Sequence, residues 1–127
     1  MLVPDRRGGS AANCSHAVND FRKLCGIEVY SPVDSVSDRT NNAGWDTVFA
    51  AWLDTGHLGD KDAIPIYSAG GGDAKRKIRA NIVQAIDLAK ARSAKVFGIV
   101  ARDSGYTAKH SDVVVLIPRS TSWVTPL

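Results

Sequence analysis

The chain has 127 residues, a net charge of +3 and 44% hydrophobic residues, which suits one soluble domain with a modest core. That charge excess is too small, and too free of long Lys/Arg runs, for a nucleic-acid binder; no apolar run approaches a membrane span, and the N-terminus has no signal-peptide core. The two cysteines, Cys14 and Cys25, fall within or near one predicted helix, so they are expected to be free thiols of a cytoplasmic protein.

In chain order, Met1-Leu2-Val3-Pro4 reads as the stub of a strand, with Pro4 at an edge or an end. Asp5-Arg6-Arg7-Gly8-Gly9-Ser10 is a glycine turn. The spacing then predicts a helix over residues 11–24, with Ala12, Ala17, Val18, Phe21 and Leu24 or Cys25 facing inward and Gly26 placed to end it in the left-handed region. Ile27-Glu28-Val29-Tyr30 reads as a short strand, and residues 31–42 as a polar loop. Trp45, Val48, Phe49, Trp52 and Leu53 recur at helical spacing and mark a helix over residues 44–53 that packs on a core. A loop over residues 54–62 leads to a buried strand, Ile64-Pro65-Ile66-Tyr67.

That strand breaks into Ser68-Ala69-Gly70-Gly71-Gly72-Asp73. From about Ala74 to Arg92, Ile78, Ile82, Val83, Ile86 and Leu88 follow a helical period. Residues 95–100 form another buried strand, residues 101–105 a loop, residues 106–110 a short helical turn, and residues 113–117 the last strand, closed by Pro118. Continuous β-branched runs separated by helices imply an α/β fold with a parallel sheet covered on both faces.

In such sheets, ligands bind beyond the carboxyl ends of the strands. The loops at residues 8–10, 31–37, 68–73 and 101–105 are therefore expected to converge on one crevice. Strand, glycine loop, helix is also how an α/β protein builds an anion site, because glycines admit the ligand and the helix start offers unpaired N–H groups. Equally, Gly70, Gly71 and Gly72 could form only a turn, with Asp73 as the helix N-cap. The basic cluster Lys75, Arg76, Lys77 and Arg79 has two readings as well: attraction of an anionic ligand, or a solvated helix face.

Three blocks resemble the sugar isomerase (SIS) domains, and among these the phosphoheptose isomerases, which act on sedoheptulose 7-phosphate. Gly8-Gly9-Ser10-Ala11-Ala12, with Ser15-His16 and Asn19-Asp20-Phe21, resembles the first phosphosugar loop and its helix. Ser68-Ala69-Gly70-Gly71-Gly72-Asp73, with Asn81-Ile82-Val83-Gln84-Ala85-Ile86, resembles the second. Residues 97–108, Phe-Gly-Ile-Val-Ala-Arg-Asp-Ser-Gly-Tyr-Thr-Ala, resemble the following strand and loop. The likeness runs over nearly the whole chain.

The resemblance implies a three-layer α/β sandwich with a parallel, flavodoxin-like sheet of four to five strands, assembled into dimers or tetramers. It implies one domain over residues 1–127, truncated at both ends and lacking the family's usual N-terminal and C-terminal helices. The implied reaction is aldose–ketose isomerisation through an enediolate, with a non-catalytic sugar-phosphate-binding or assembly module as the alternative. Carried over onto this sequence, the phosphosugar ligands are Gly8, Gly9, Ser10, Ser68, Gly70, Gly71, Gly72, Asp73 and Asp103. His16 and Asp20 fall where the family has a His and, four residues on, a carboxylate. The i, i+4 spacing puts them on one helix face, where they could bind a zinc ion, or Asp20 could act as the base; on spacing alone the plainer reading is a surface His beside a helical Asp, and with the resemblance the two readings stand level. Departures from the family pattern are Arg6-Arg7 in place of Gly-Asn, a second loop with Ser68 as its one hydroxyl, a short segment at residues 34–42, and no C-terminal helix bearing a Gln and a His. His57 and His110 fall outside the matching motifs. With the terminal helices absent, one face of the sheet is expected to be thinly covered, favouring self-association.

Overall fold

A computed structural model describes residues 3–4, 9–32 and 44–117. Its elements in order are strand β1 (Val3–Pro4), helix α1 (Gly9–Cys25), a 3-10 turn (Trp45–Thr47) leading into α2 (Val48–Thr55), β2 (Ala63–Tyr67), α3 (Ala80–Ala91), β3 (Lys95–Val100), α4 (Tyr106–His110) and β4 (Val113–Leu116). The four strands form one sheet in the order β1-β2-β3-β4. Every pair is parallel, with Ile66 beside Val3 on one side and Gly98 on the other, and Ile99 beside Val115.

Burial alternates along the two central strands. Ile64 and Ile66 of β2, and Val96 and Val100 of β3, point to one face and are essentially fully buried. There they meet Val48, Phe49 and Leu53 of α2 and Ile82, Ala85, Ile86 and Ala89 of α3 in one continuous core. Gly98 lies on the same face, and a side chain there would press on Thr107 and Ser111, so its small size lets α4 approach β3.

The other face is covered differently. Buried Cys14 packs with Val29, and Ala17, Val18 and Tyr67 pack against them, so α1 covers the β1–β2 side. Over β3 and β4 that cover runs out: Phe97 is 37% exposed and Val113, Val115 and Ile117 are each more than half exposed. The layered parallel sheet and its thin face are therefore both present, with four strands in the described residues.

Of the residues expected to face inward on α1, Ala12, Phe21, Leu24 and Cys25 are exposed and Ala17 and Val18 half-buried, while Cys14 is buried. Two further local expectations need correction. Residues 27–30 do not form a strand. In that stretch only Val29 is buried, under α1, while Tyr30 donates a 2.7 Å hydrogen bond to Glu28 on the exposed side. One inward residue in four is enough to lay the chain along the helix but not to seat a strand. The helix that precedes it does end as expected: Gly26 adopts φ +65°, and Ile27 N–H reaches back to the Phe21 carbonyl.

The second correction concerns α3, which begins at Ala80 rather than near Ala74. Asp73 and Ile78 exchange backbone hydrogen bonds of 2.9 and 3.0 Å, closing residues 73–78 into a small loop. Lys77 and Arg79 take φ of +53° and +51°, a left-handed geometry that interrupts any helix started earlier. Ile78, expected to face inward, is 47% exposed.

Candidate functional site

The parallel sheet sends β2, β3 and the start of α1 to the same edge. Residues 68–79 leave β2 there, residues 101–105 leave β3, and α1 begins beyond the end of β1, which borders β2. Arg6, Arg7, Gly8 and residues 33–37 lie outside the described residues, as do the side chains of Gly9 and Ser10; the backbone of these two opens α1.

The two described loops are tied together. Ala101 N–H donates to the Ala69 carbonyl at 3.0 Å, Tyr106 N–H to Gly72 and Thr107 N–H to Gly71, both at 2.9 Å. The buried Thr107 hydroxyl adds a 2.8 Å bond to the Gly71 carbonyl. Gly105 makes this closeness possible: a Cβ there would run into the Gly70 carbonyl oxygen and lie 3.1 Å from Gly71 Cα. Gly71 and Gly72, at φ +76° and +82°, hold the turn itself. A side chain at Gly70 would collide with the Arg79 guanidinium, which folds back over the loop.

Several of the loop's N–H groups are used inside it. Gly71 N–H donates to buried Ser68 Oγ at 3.1 Å, and Asp73 N–H to the Ile78 carbonyl. Asp73 Oδ1 accepts from Lys75 N–H at 3.0 Å and Arg76 N–H at 3.3 Å, an Asx-type turn that caps the loop instead of a helix. Its other oxygen lies 3.8 Å from Arg76 Nε. The negative charge of Asp73 is thus engaged at the base of the loop, while Lys75, Arg76 and Lys77 stay exposed at its tip.

Beside this loop is an open cleft of about 290 Å³, walled on one side by residues 72–75 and on the other by Ser104, Tyr106, Lys109 and His110. The α4 wall is braced. Tyr106 donates its hydroxyl proton to Asp87, which, with partial burial, pushes the phenol up to about 12. The His110 ring stacks on Tyr106 with centroids 3.9 Å apart, and its Nδ1 sits 3.0 Å from the Tyr106 carbonyl. Since a carbonyl only accepts, Nδ1 carries a proton. Asp103 is exposed in the preceding loop and does not line the cleft. Tyr106, Lys109 and His110 were not legible as site residues, although the i, i+4 spacing of Tyr106 and His110 does signal a shared helix face.

His16 and Asp20 do meet, with Nε2 to Oδ2 at 3.3 Å on the exposed face of α1. They stand roughly 10 and 16 Å along the helix from its start, given a rise of about 1.5 Å per residue. The pair offers one imidazole nitrogen and one carboxylate. Among the described residues no three His, Cys, Asp or Glu side chains gather as a metal set, where a catalytic zinc takes about three protein ligands. These residues alone do not complete a zinc site.

No family model matches the chain. A phosphoheptose isomerase from Histophilus somni (strain 2336) is 28% identical over 88 residues, 69% of this chain. The chain spans 42% of the length of that relative. Among solved structures, phosphoheptose isomerase GmhA from Neisseria gonorrhoeae superposes with a TM-score of 0.75 at 22% identity, covering 96% of this chain and 66% of its own. A phosphoheptose isomerase from Francisella tularensis gives 0.70 at 19% identity, over 93% of this chain and 62% of its own. The sugar isomerase domain of an RpiR transcription factor from Sphaerobacter thermophilus gives 0.63 at 19% identity, over 96% and 57%. The chain thus shares the fold of these sugar isomerase structures and, over 88 residues, is similar in sequence to a phosphoheptose isomerase.

Proposed function

We propose that this domain binds a sugar phosphate and serves aldose–ketose isomerisation of the phosphoheptose type, with sedoheptulose 7-phosphate as the substrate. The observation that carries the reading is the pair of stapled loops at the carboxyl edge of the sheet, in a chain whose curated relative is a phosphoheptose isomerase. The reaction needs a base to take the proton from the carbon next to the carbonyl. The electron pair left behind forms the enediolate, and the proton returns to the neighbouring carbon. Asp20 is the candidate base, and His16, 3.3 Å away, positions its carboxylate. Gly9, Ser10, Ser68, Gly70, Gly71, Gly72, Asp73 and Asp103 line the loops that would receive the sugar phosphate.

This reading goes with a cytoplasmic location and a homo-oligomer. Among the described residues no helix is long and apolar enough to cross a membrane. Exposed Leu24 and Ile27 at the end of α1, and the uncovered β4, supply apolar surface for a second copy. The test is a coupled isomerase assay with sedoheptulose 7-phosphate, run on the wild type and on Asp20→Asn. Turnover lost in Asp20→Asn supports the reading. Binding of the sugar phosphate without turnover in the wild type would replace it with the non-catalytic module.

A further inference from the structure

In the glycine loop the N–H groups of Gly71, Asp73, Lys75 and Arg76 donate within the loop. The helix start that would normally add more lies beyond residues 74–79. Side-chain cations strengthen the hold on an anion here. The cleft supplies two from opposite walls: Lys75 on the closed loop and Lys109 on α4. The one carboxylate on its lining, Asp73, is already bonded to two backbone N–H groups and faces Arg76. Neither lysine is among the ion pairs found between described residues, which join other groups.

We infer that the cleft between the 73–78 loop and α4 is a phosphate-monoester site, with Lys75 and Lys109 as its two cations. The walls are set before any ligand arrives, since the bonds from Tyr106 and Thr107 to Gly72 and Gly71 fix α4 against the loop. A site with fixed walls loses little entropy on binding beyond that of the two lysine side chains. Ser104 lies on the same lining and can donate a hydroxyl proton to a phosphate oxygen. His110, held by its Nδ1 bond and its stack on Tyr106, adds a further donor at Nε2 only when protonated. The inference deepens the sugar-phosphate reading by naming the groups that hold the phosphate, and it stands apart from the His16–Asp20 pair.

The experiment is a calorimetric titration of the full chain with inorganic phosphate at low salt, on the wild type, Lys75→Met, Lys109→Met and Lys77→Met. Lys77 sits in the same loop but does not line the cleft, so it controls for general positive charge. Lys75→Met and Lys109→Met are each expected to weaken binding by roughly tenfold, the loss of one charge-assisted bond, while Lys77→Met changes it less than about twofold. Equal losses in all three variants, unchanged binding in the two cleft variants, or no binding by the wild type would overturn the site. Phosphate binding that follows the two lysines in a protein without isomerase activity would leave the site standing and sink the catalytic reading instead.

Discussion

Gly105→Ala is the sharpest test of how the two loops are joined. Gly105 has φ −76° and ψ 164°, an extended geometry open to any residue, so the substitution carries no conformational penalty of its own. Its entire effect is steric. The new Cβ would overlap the Gly70 carbonyl oxygen and crowd Gly71 Cα, both backbone atoms that no rotamer change can move. The loop and α4 must part. Parting them strains or breaks the three bonds from Tyr106 N–H, Thr107 N–H and Thr107 Oγ1 to the Gly72 and Gly71 carbonyls. At about 1 kcal/mol net per hydrogen bond, the expected loss is about 2–3 kcal/mol, which matches the usual cost of overpacking. For a domain of this size that lowers Tm by roughly 8–12 °C. Thermal unfolding followed by circular dichroism reads it directly. Thr107→Val, which loses one of the three bonds and keeps the shape, is expected to drop by about a third as much. A Gly105→Ala melt within about 2 °C of the wild type would refute the reasoning, because the loop would then have room that the structure denies it.

Other expectations follow from burial and hydrogen bonding. Cys14 is fully buried and its thiol is pushed up to about 12 by desolvation, whereas Cys25 is exposed. A thiol reagent should therefore label Cys25 at once in the native protein and Cys14 only after denaturant is added. Tyr106, hydrogen-bonded to Asp87, titrates at about 12 when folded, above the unfolded value of about 10. Its contribution to stability is thus complete below about pH 10 and is lost as pH rises towards 12; ultraviolet titration should show a phenol titrating near 12 that vanishes in Tyr106→Phe. Ile86→Ala removes a fully buried side chain from the α3 face of the core and should cost about 2–5 kcal/mol in denaturant unfolding. Sedimentation of the wild type at micromolar concentration is expected to show an oligomer, and a clean monomer would count against the role given to the apolar surface of β4 and α1.

Much of the fold was legible before any coordinates. The apolar runs at Ile64, Ile66, Val96 and Val100 are interrupted by helical stretches, and a chain with that pattern has few ways to bury its strands other than a parallel sheet. The aromatic spacing of Trp45, Phe49 and Trp52 likewise predicts the helix that packs on the core, and Phe49 is fully buried there. The place of the site at the carboxyl edge follows from the same logic, since parallel strands deliver all their following loops to one side. Gly26 announced the end of α1 because few other residues accept the left-handed geometry a helix needs to stop.

What periodicity alone could not state was decided by particular contacts, some within a few residues and some distant in sequence. Residues 74–79 have the composition of a helix start, yet Asp73 gives its carboxylate to Lys75 and Arg76 N–H and pairs its backbone with Ile78, so the helix waits until Ala80. The apolar residues at 27–30 suit a strand, but β1 already occupies the β2 edge and Val29 finds its burial under α1 instead. Lys109 and Lys75 are thirty-four positions apart and share a cleft only because Gly98 and Gly105 let α4 close against β3 and the glycine loop. Local pattern determined the elements and the edge at which a ligand would sit. Which side chains face it was settled by where three glycines, Gly98, Gly71 and Gly105, allow two segments to touch, and no local period records that.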